Sequence, residues 1–318
     1  MTRVGVVGAT GAVGSVTLGL LAERGFENVR AFASSRSAGR QVPYGDGGLL
    51  VEEATPENLG AGDLDLCFFS VGTDASRELV PPAVAGGTVC IDKSDAFRLT
   101  EGVPLVVAGV NDAFLRQDDE VVANPNCSAI QLSCVLKPLH EAAGLASVRL
   151  ATYQSMSGIG DAGIERLRRT EPAEGDLAMD WDLEGDEFSE ESKLRAETRK
   201  ILGLADLPLQ AQCVRVPVLV GHAQAIWVET VELLSAEEAR EVLGSAPHVA
   251  LHDFATPKDA AGRDDVLVGR VRPDTSSGSG LALWSVNDNL RKGAALNAIQ
   301  IAEVLINRKL IAAKKKAA

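Results

Sequence analysis

The sequence predicts an α/β protein with two domains. In residues 1–124, short apolar strands alternate with helical segments, which is typical of a mostly parallel sheet. In residues 125–290 strands follow one another more closely, which predicts an α+β domain with helices at its side. The amphipathic stretch that begins at residue 291 is expected to pack back against the first domain. The predicted domains are therefore 1–124 with 291–318, and 125–290.

Length, charge and hydropathy limit the possible partners. A chain of 318 residues, 46% hydrophobic and 24% charged, is long enough to bury two cores. Its net charge of -13 argues against a nucleic acid as the main partner. No signal-peptide pattern and no apolar run of roughly 20 residues is found, so we expect no membrane partner. A small-molecule partner fits these observations.

The cysteines indicate a reducing compartment. The five cysteines are an odd number and include no C-x-x-C pair. Both facts argue against a disulfide framework and against a zinc–thiolate site. We therefore expect a cytoplasmic protein without a bound metal.

A glycine-rich turn follows the first strand. A short, mainly apolar strand is predicted at residues 3–7. It is followed by Gly-Ala-Thr-Gly-Ala-Val-Gly at 8–14, and an apolar helical pattern continues to residue 22. The glycines let the backbone approach a pyrophosphate, and the helix N-terminus attracts it. This order of elements predicts a Rossmann-like dinucleotide-binding domain, although a plain tight turn is the alternative. The expected cofactor contacts are Gly8, Thr10, Gly11, Ala12, Val13 and Gly14.

The end of the second strand indicates which dinucleotide binds. An NAD-preferring site usually has Asp or Glu there to accept from the ribose 2′-OH. Here the strand at 29–33 continues into hydroxyls and a guanidinium, which suit a 2′-phosphate. We therefore predict NADP rather than NAD, with Ser35, Arg36 and Ser37 at the phosphate. A solvent-exposed polar turn is the alternative.

The rest of the first domain contains one stretch without recognisable chemistry and several predicted elements. Residues 41–60 are rich in Gly and Glu and indicate no chemistry. Pro81 and Pro82 are expected to break a short helix at 78–85. The strands or apolar segments that complete this domain are predicted at 64–71, 87–92, 103–110 and 120–123.

The second domain contains several predicted strands that look antiparallel. Ser189 is the predicted N-cap of a helix that runs to about residue 202, with Glu190 and Glu191 in its first turn. Residues 171–187 are acidic and are expected to form an irregular surface excursion. Strands are predicted at 147–153, 209–217, 223–233, 266–272 and 280–286, and helices at 163–169, 235–243 and 291–310.

One cysteine stands at the predicted start of a helix. Pro125 disfavours helix at the residue before it, and Asn126 is a good N-cap, so the first turn begins at Cys127 or Ser128. A thiol there faces unpaired backbone N–H groups and the positive end of the helix dipole. Both favour the thiolate, which is the nucleophilic form. On local sequence alone, a buried structural cysteine is an equal alternative.

Seven separated stretches resemble one family, aspartate-semialdehyde dehydrogenase. They occur in the family's order over almost the whole chain, and the stretches with the cysteine and the histidine are the most specific. They are GATGAVG (8–14), SSRSAG (34–39), DAFR (95–98), NPNCS (124–128), TYQSMSG (152–158), CVRVPVLVGH (213–222) and NLRKGAALNAIQIAE (289–303).

The resemblance implies a reaction. The family reduces L-aspartyl 4-phosphate to aspartate 4-semialdehyde with NADPH, releases phosphate, and serves lysine, threonine and methionine biosynthesis. In this chain Cys127 would attack the acyl phosphate and form a thioester, which splits one hard step into two easier ones. His222 would exchange a proton with the thiol and the thiohemiacetal. The resemblance also implies a homodimer built through the second domain.

The resemblance also implies how the substrate and cofactor are held. Gln154 would orient the substrate or thioester, and Arg215 would take the α-carboxylate through a bidentate contact. Glu190 would meet the α-amino group; it is preferred over Glu191 because it stands three residues before Lys193. The positions implied for phosphate are Arg98, Lys193 and Asn126, and those implied for the cofactor in the second domain are Ser157, Gly158 and Asn289.

Three places depart from the family pattern. The family often has Asn-Ser-Ser before Ala-Phe-Arg, where this chain has Lys93, Ser94 and Asp95. A carboxylate near bound phosphate should repel it unless Asp95 points away or pairs with Lys93. The family often has Ser-Glu after the histidine and Pro-Glu before Asn111, where this chain has Ala-Gln and Ala-Gly. These departures bear on substrate affinity and not on the reaction class.

Other functions stay open at this stage. An N-acetyl-glutamyl-phosphate reductase or an acyl-CoA reductase on the same fold would use a similar cysteine and histidine. The stretches RVPVLVGH and TYQSMSG favour the aspartyl enzyme. A silent paralogue that binds only nucleotide would be expected to lose the thiol, and Cys127 is present.

Overall fold

The structure is a computed structural model that describes residues 2–169 and 181–311. The chain divides into two units, Met1–Pro125 with Ala294–Ala318, and Asn126–Gly293. The predicted fold class is confirmed, since the first unit holds a parallel sheet between helices and the second holds a mixed sheet with helices. In the described ranges, no helix is both long and apolar enough to cross a membrane.

Strands and helices follow one another in chain order. The strands are β1 (Val4–Val7), β2 (Val29–Ala33), β3 (Gln41–Tyr44), β4 (Gly47–Glu53), β5 (Leu66–Phe69), β6 (Val89–Asp92), β7 (Val121–Ala123), β8 (Leu145–Gln154), β9 (Leu183–Glu184), β10 (Glu187–Phe188), β11 (Leu209–Arg215), β12 (His222–Thr230), β13 (Val249–Leu251), β14 (Val266–Pro273) and β15 (Gly280–Asn287). The helices are α1 (Ala12–Glu23), α2 (Pro56–Leu59), α3 (Thr73–Ala85), α4 (Cys127–Ala143), α5 (Asp161–Arg168), α6 (Ser189–Leu202), α7 (Ala236–Gly244), α8 (Pro257–Ala260) and α9 (Leu296–Asn307). Short 3-10 turns lie at Asp112–Phe114 and Met156–Ile159, and a π-helical turn lies at Arg291–Ala295.

The sheet of the first unit has the order β3-β4-β2-β1-β5-β6-β7. Its pairs are parallel, except for the antiparallel pair of β3 with β4. Every residue of β1 is buried, as expected for a central strand with helices on both faces. Because β1 and β2 are adjacent and parallel, the turns that follow their carboxyl ends lie side by side.

The helix α9 packs in the first unit, as predicted. Its buried side chains, such as Ile299 and Ala302, share one hydrophobic cluster with Val6 of β1 and Leu21 of α1. A second cluster joins Phe69 and other strand residues to the buried face of α3. These clusters hold the glycine turn after β1 between packed elements.

The sheet of the second unit has the order β11-β8-β12-β15-β14-β13. The expectation of antiparallel strands is correct for β8, β12, β15 and β14, but wrong at both edges. Strand β11 pairs with β8 in parallel, and β13 pairs with β14 in parallel. A parallel pair needs a long crossover, and the chain between β8 and β11, which includes α5 and α6, supplies one.

Two predictions for the first unit are wrong, and one stretch for which no element was predicted forms a hairpin. Residues 41–60 hold regular elements, because the Gly45–Asp46 turn joins β3 and β4 as a hairpin with Tyr44 opposite Gly47. Residues 103–110 form no strand beyond a single bridge of Leu105 with Ala123. Helix α3 begins five residues earlier than predicted and continues through its prolines.

The prolines do not break α3 because the helix is held by its buried face. Leu79, Val80 and Ala83 pack in the cluster against the sheet. Pro81 and Pro82 have no backbone N–H, so the carbonyls of Arg77 and Glu78 lose their helical hydrogen bonds. Both residues are exposed, and their carbonyls can bind water instead.

The start of α6 also differs from the prediction. Phe188, not Ser189, precedes the helix, and the Phe188 N–H donates to the Glu191 Oε2 at 3.0 Å. Ser189 is the first helical residue, and its N–H donates to the Asp182 carbonyl at 2.8 Å. Of the predicted acidic excursion at 171–187, residues 171–180 lie outside the described ranges, and the remainder contains β9.

Candidate active site

Cys127 is the first residue of α4, as the sequence predicts. Asn126 precedes it as the N-cap, and its Oδ1 accepts from the Ser128 N–H at 2.8 Å. The thiol is half-buried and stands at the N-terminal end of a helix of 17 residues. The backbone N–H groups and the helix dipole at this position favour a thiolate.

Helix α6 holds the loop in front of Cys127 at two points. The Asn126 backbone N–H donates to the Glu197 Oε2 at 2.7 Å, and its Nδ2 donates to the Glu190 Oε1 at 3.0 Å. Glu197 is buried and was not among the predicted site residues. Its spacing could have indicated it, because residues 190 and 197 are two turns apart on one helix face.

His222 is the first residue of β12, and its Nε2 lies 3.1 Å from the Cys127 Sγ. The Ser155 backbone N–H lies 3.1 Å from the other ring nitrogen, Nδ1. A backbone N–H can only donate, so Nδ1 accepts and the neutral ring carries its proton on Nε2. The Nε2–H therefore donates to the sulfur, which suits a thiolate.

The surroundings of His222 keep it neutral. Burial lowers its pKa to about 3, the Arg215 charge adds to this effect, and a contact with the Gly221 backbone partly opposes it. An imidazole with such a pKa is uncharged at neutral pH. Its Nε2–H can therefore donate a hydrogen bond to an oxygen that gains negative charge beside it.

Ser155 and Asn289 fix the turn that carries His222. The Asn289 Oδ1 accepts from the Ser155 Oγ at 3.0 Å and from the Gly221 N–H at 2.9 Å. The Asn289 Nδ2 donates to the Ser157 Oγ at 3.0 Å. Ser157 and Asn289 were predicted as cofactor contacts, and that role stays a prediction. Ser155 was missed, although it directly follows Gln154 in a stretch that carries the family resemblance.

The amide of Gln154 contacts the carboxylate of Glu190. Its Nε2 donates to the Glu190 Oε1 at 2.9 Å and to the Thr152 Oγ1 at 3.3 Å. Glu191 instead accepts from the Phe188 and Cys213 backbone N–H groups. The structure thus brings Glu190 to the catalytic candidates, whereas Glu191 stabilises the start of α6.

Arg215 ends β11 directly beside Gln154 of β8. It is buried, and its Nη1 donates to the Ser155 carbonyl at 3.2 Å. At Gly158 an added Cβ would lie 3.1 Å from this Nη1 and 3.3 Å from the His222 Cε1. The glycine therefore leaves room for both the guanidinium and the imidazole beside it.

Lys193 lies on α6 between the two carboxylates that contact Asn126. It is one turn from Glu190 and one turn from Glu197, on the same helix face, and is half-buried. A cation here is suited to an anion that reaches Asn126, and its phosphate role stays a prediction.

The other predicted phosphate residue, Arg98, belongs to the first unit. Its Nε donates to the Asn124 carbonyl at 3.1 Å and its Nη2 to the Lys93 carbonyl at 2.7 Å. The Thr73 hydroxyl donates to Asp95, and the Lys93 Nζ donates to the Thr17 Oγ1 at 2.8 Å. Burial lowers the pKa of Lys93 to about 7. Asp95 is thus directed to the start of α3.

The glycine turn after β1 has room only for backbone. An added Cβ at Gly14 would lie 2.0 Å from the Gly8 carbonyl oxygen, and one at Gly8 would lie 2.3 Å from the Ser70 oxygen. Gly8 also has a φ of 81°. The turn leads into α1 without a side-chain cap at Gly11, so backbone N–H groups are directed out of the helix start. This cradle fits a pyrophosphate.

The turn after β2 lies beside this cradle. The Thr10 Oγ1 donates to the Ser37 Oγ at 3.5 Å, and the turn closes through the Ser37 N–H to the Ser34 carbonyl at 2.8 Å. Ser35 and Arg36 are exposed. Hydroxyls and a guanidinium therefore stand where the 2′ substituent of a dinucleotide is expected.

Sequence comparison decides the family. A family model described as "Semialdehyde dehydrogenase, NAD binding domain" matches residues 3–117, and one described as "Semialdehyde dehydrogenase, dimerisation domain" matches 177–292. The aspartate-semialdehyde dehydrogenase of Corynebacterium melassecola is 42% identical, over 96% of this chain and 100% of that protein. The chain belongs to the aspartate-semialdehyde dehydrogenase family. The Bacillus subtilis aspartate-semialdehyde dehydrogenase is 38% identical, over 97% and 99% of the two chains.

Solved structures of this family have the same fold. Aspartate semialdehyde dehydrogenase II of Vibrio cholerae, complexed with ASA, is 37% identical with a TM-score of 0.90, over 96% of this chain and 98% of that one. The Candida albicans aspartate semialdehyde dehydrogenase with NADP is 26% identical with a TM-score of 0.78, over 98% and 100%. Family membership makes the chain an oxidoreductase of amino-acid biosynthesis with an NAD(P)-binding domain.

Proposed function

We propose that the chain uses NADPH to convert L-aspartyl 4-phosphate into aspartate 4-semialdehyde and phosphate, through a thioester at Cys127. The observation that carries the proposal is the 3.1 Å contact between the Cys127 Sγ and the His222 Nε2 at the start of α4. A nucleophilic sulfur and a hydrogen-bond donor thus stand together, beside the buried guanidinium of Arg215.

The first step is attack by the Cys127 thiolate on the carbonyl carbon of the acyl phosphate. A C–S bond forms, the bond from carbon to the phosphate oxygen breaks, and phosphate leaves with its electron pair. The Nε2–H of His222 donates to the oxygen that gains negative charge at this carbon. Covalent attachment to sulfur keeps the acyl group in place after phosphate has left.

The second step reduces the thioester. NADPH, when bound, supplies the hydride that the thioester carbon accepts. His222 again donates to the oxygen of the resulting thiohemiacetal, whose collapse releases the aldehyde and restores the thiolate. The neutral state of His222 is compatible with this role, because the neutral ring keeps its N–H on Nε2 for a hydrogen bond to this oxygen.

The two ends of the substrate need different partners. We assign the α-carboxylate to Arg215 and the α-amino group to Glu190, whose side chains flank Gln154. We assign the phosphate to Lys193, Asn126 and Arg98. The support is the residue chemistry, two cations and an amide, together with the family motifs.

We assign NADP to the cradle formed by Gly8, Thr10, Gly11, Ala12, Val13 and Gly14. The 2′-phosphate contacts are Ser35, Arg36 and Ser37, and Ser157, Gly158 and Asn289 complete the cofactor site. The proposal includes a homodimer, a cytoplasmic location and a place in lysine, threonine and methionine biosynthesis. The dimerisation domain named by the family model supports the homodimer, and the five free cysteines support the cytoplasmic location.

The choice of NADP is tested at Arg36. We expect Arg36→Ala to raise the Kd for NADP⁺ by about tenfold, because it removes a charged hydrogen bond to phosphate. The Kd for NAD⁺ should stay within about twofold. Calorimetric titration with both dinucleotides measures this, and equal weakening of the two would contradict a 2′-phosphate contact.

The reaction is tested in its reverse direction. The protein is mixed with aspartate semialdehyde, phosphate and NADP⁺, and NADPH is followed by its absorbance. We expect turnover that requires phosphate. Turnover with N-acetylglutamate semialdehyde but not with aspartate semialdehyde would overturn the proposal.

A further inference from the structure

An indole covers one face of the buried guanidinium in the candidate site. The Arg215 Cζ lies 4.8 Å from the centre of the Trp181 ring. Only 4% of Arg215 is exposed, and Trp181 is half-buried. We infer that Trp181 is a positioning residue that holds the Arg215 guanidinium in place for the substrate α-carboxylate. This inference rests on the proposed function, because it requires a carboxylate substrate.

Stacking and carboxylate binding use different directions of a guanidinium. An aromatic ring attracts the cation through its face, whereas a carboxylate binds to N–H groups in the guanidinium plane. The bond from the Arg215 Nη1 to the Ser155 carbonyl, 3.2 Å long, adds an in-plane restraint. The indole can therefore restrict rotation of the guanidinium and exclude water from its face without occupying the binding edge.

Trp181 is itself positioned by the start of α6. Its ring centre lies 6.4 Å from that of Phe188, with the planes at 52°. The neighbouring Asp182 carbonyl accepts from the Ser189 N–H at 2.8 Å. The same helix carries Glu190, which is assigned to the α-amino group. The element that orients the amino partner thus also orients the tryptophan over the carboxylate partner.

The position of the guanidinium matters because it adjoins His222. Gly158 separates the two groups, and a Cβ there would touch both the Arg215 Nη1 and the His222 Cε1. A rotated guanidinium would hold the carboxylate end of the substrate differently relative to the sulfur. Trp181 acts through Arg215 and does not contact the reacting atoms.

The kinetic effect of losing the indole follows from this role. The carboxylate keeps its charge and place throughout the reaction, so its contact with Arg215 contributes equally to the bound substrate and to the transition state. Loss of such uniform binding raises KM and leaves kcat nearly unchanged. Phosphate binds elsewhere, so its KM should not change.

The test uses Trp181→Leu in the assay with aspartate semialdehyde, phosphate and NADP⁺. We expect KM for aspartate semialdehyde to rise about 3- to 30-fold, the range expected for a cation–π contact, with kcat within about twofold. KM for phosphate should stay within about twofold. Trp181→Phe keeps an aromatic face and should restore most of the affinity for aspartate semialdehyde.

Phe254→Leu is the matched control. Phe254 covers the guanidinium of Arg270 at 5.8 Å, the same kind of contact at a residue with no assigned role, and its loss should leave both KM values unchanged. Unchanged KM for aspartate semialdehyde in Trp181→Leu, or an equal rise for phosphate, would overturn the inference while the wild type still supports the proposed function. A wild type without turnover of aspartate semialdehyde would overturn both.

Discussion

At the scale of single residues, His222 shows how the fold changes a side chain that the sequence can only locate. The motif at 213–222 predicted a histidine at the reacting centre. Its pKa depends on burial and on the charge of Arg215. Arg215 ends β11, whereas His222 begins β12. The Ser155 N–H selects the tautomer, and Ser155 lies in a distant part of the sequence. Neither the charge state nor the tautomer could therefore be predicted from sequence.

The lowered pKa makes a prediction about stability. The ordinary pKa of histidine is 6.5, and the pKa of His222 in the folded protein is about 3. Between these two pH values the side chain is neutral in the folded protein and protonated in the unfolded protein, so unfolding binds a proton. Stability from this residue is therefore complete above pH 6.5 and falls as the pH falls through this window. We expect about 2 kcal/mol of loss in the free energy of unfolding between pH 6.5 and 5.

The measurement compares the wild type with His222→Asn by urea unfolding at fixed protein concentration. Asparagine does not titrate, so the variant should lack this part of the loss. Carboxylates titrate in both proteins and cancel in the difference. The same dependence on pH in both proteins would show that His222 is not held neutral by the fold.

At the scale of elements, the start of α4 was predicted correctly because a cap residue is followed by a hydrophobic pattern there. Asn126 caps α4 as predicted, because cap chemistry is local. The extent of α3 could not be predicted locally, since packing of its buried face outweighs the lost bonds at Pro81 and Pro82. The hairpin of β3 and β4 was not predicted, although it had a local signal, a two-residue turn at Gly45–Asp46.

The glycine turn before α1 carries a prediction of its own. Gly14→Ala would place a Cβ 2.0 Å from the Gly8 carbonyl oxygen, so the backbone of the turn must shift. We expect the Kd for NADP⁺, measured by calorimetry, to rise at least about tenfold, because pyrophosphate contacts depend on this backbone.

Gly19→Ala is the control on the same helix. Gly19 is exposed and has no atom within 4 Å of an added Cβ, so alanine should leave NADP⁺ binding unchanged. It should also raise the free energy of unfolding by up to about 1 kcal/mol through helix propensity. Tight NADP⁺ binding by Gly14→Ala would contradict the assignment of the turn to the pyrophosphate.

At the scale of the whole molecule, the alternation of strands and helices was enough to predict a parallel sheet and the return of α9 to the first unit. The sheet of the second unit was harder, because its parallel edge pairs form over long crossovers that leave no local signal. Candidate residues of the second unit were found by motif, namely Cys127, Gln154, Glu190, Arg215 and His222. Glu197, Ser155 and Trp181 were not, since each acts on a predicted residue through a tertiary contact.

The central claim is that Cys127 carries the acyl group. The most direct measurement is the intact mass of the protein after mixing with aspartate semialdehyde and NADP⁺ in buffer without phosphate, followed by peptide mapping. We predict one added aspartyl group on the peptide with Cys127, its release on adding phosphate, and at least about 10³-fold lower turnover in Cys127→Ala. Turnover without this adduct, an adduct on another cysteine, or an active Cys127→Ala would contradict the account.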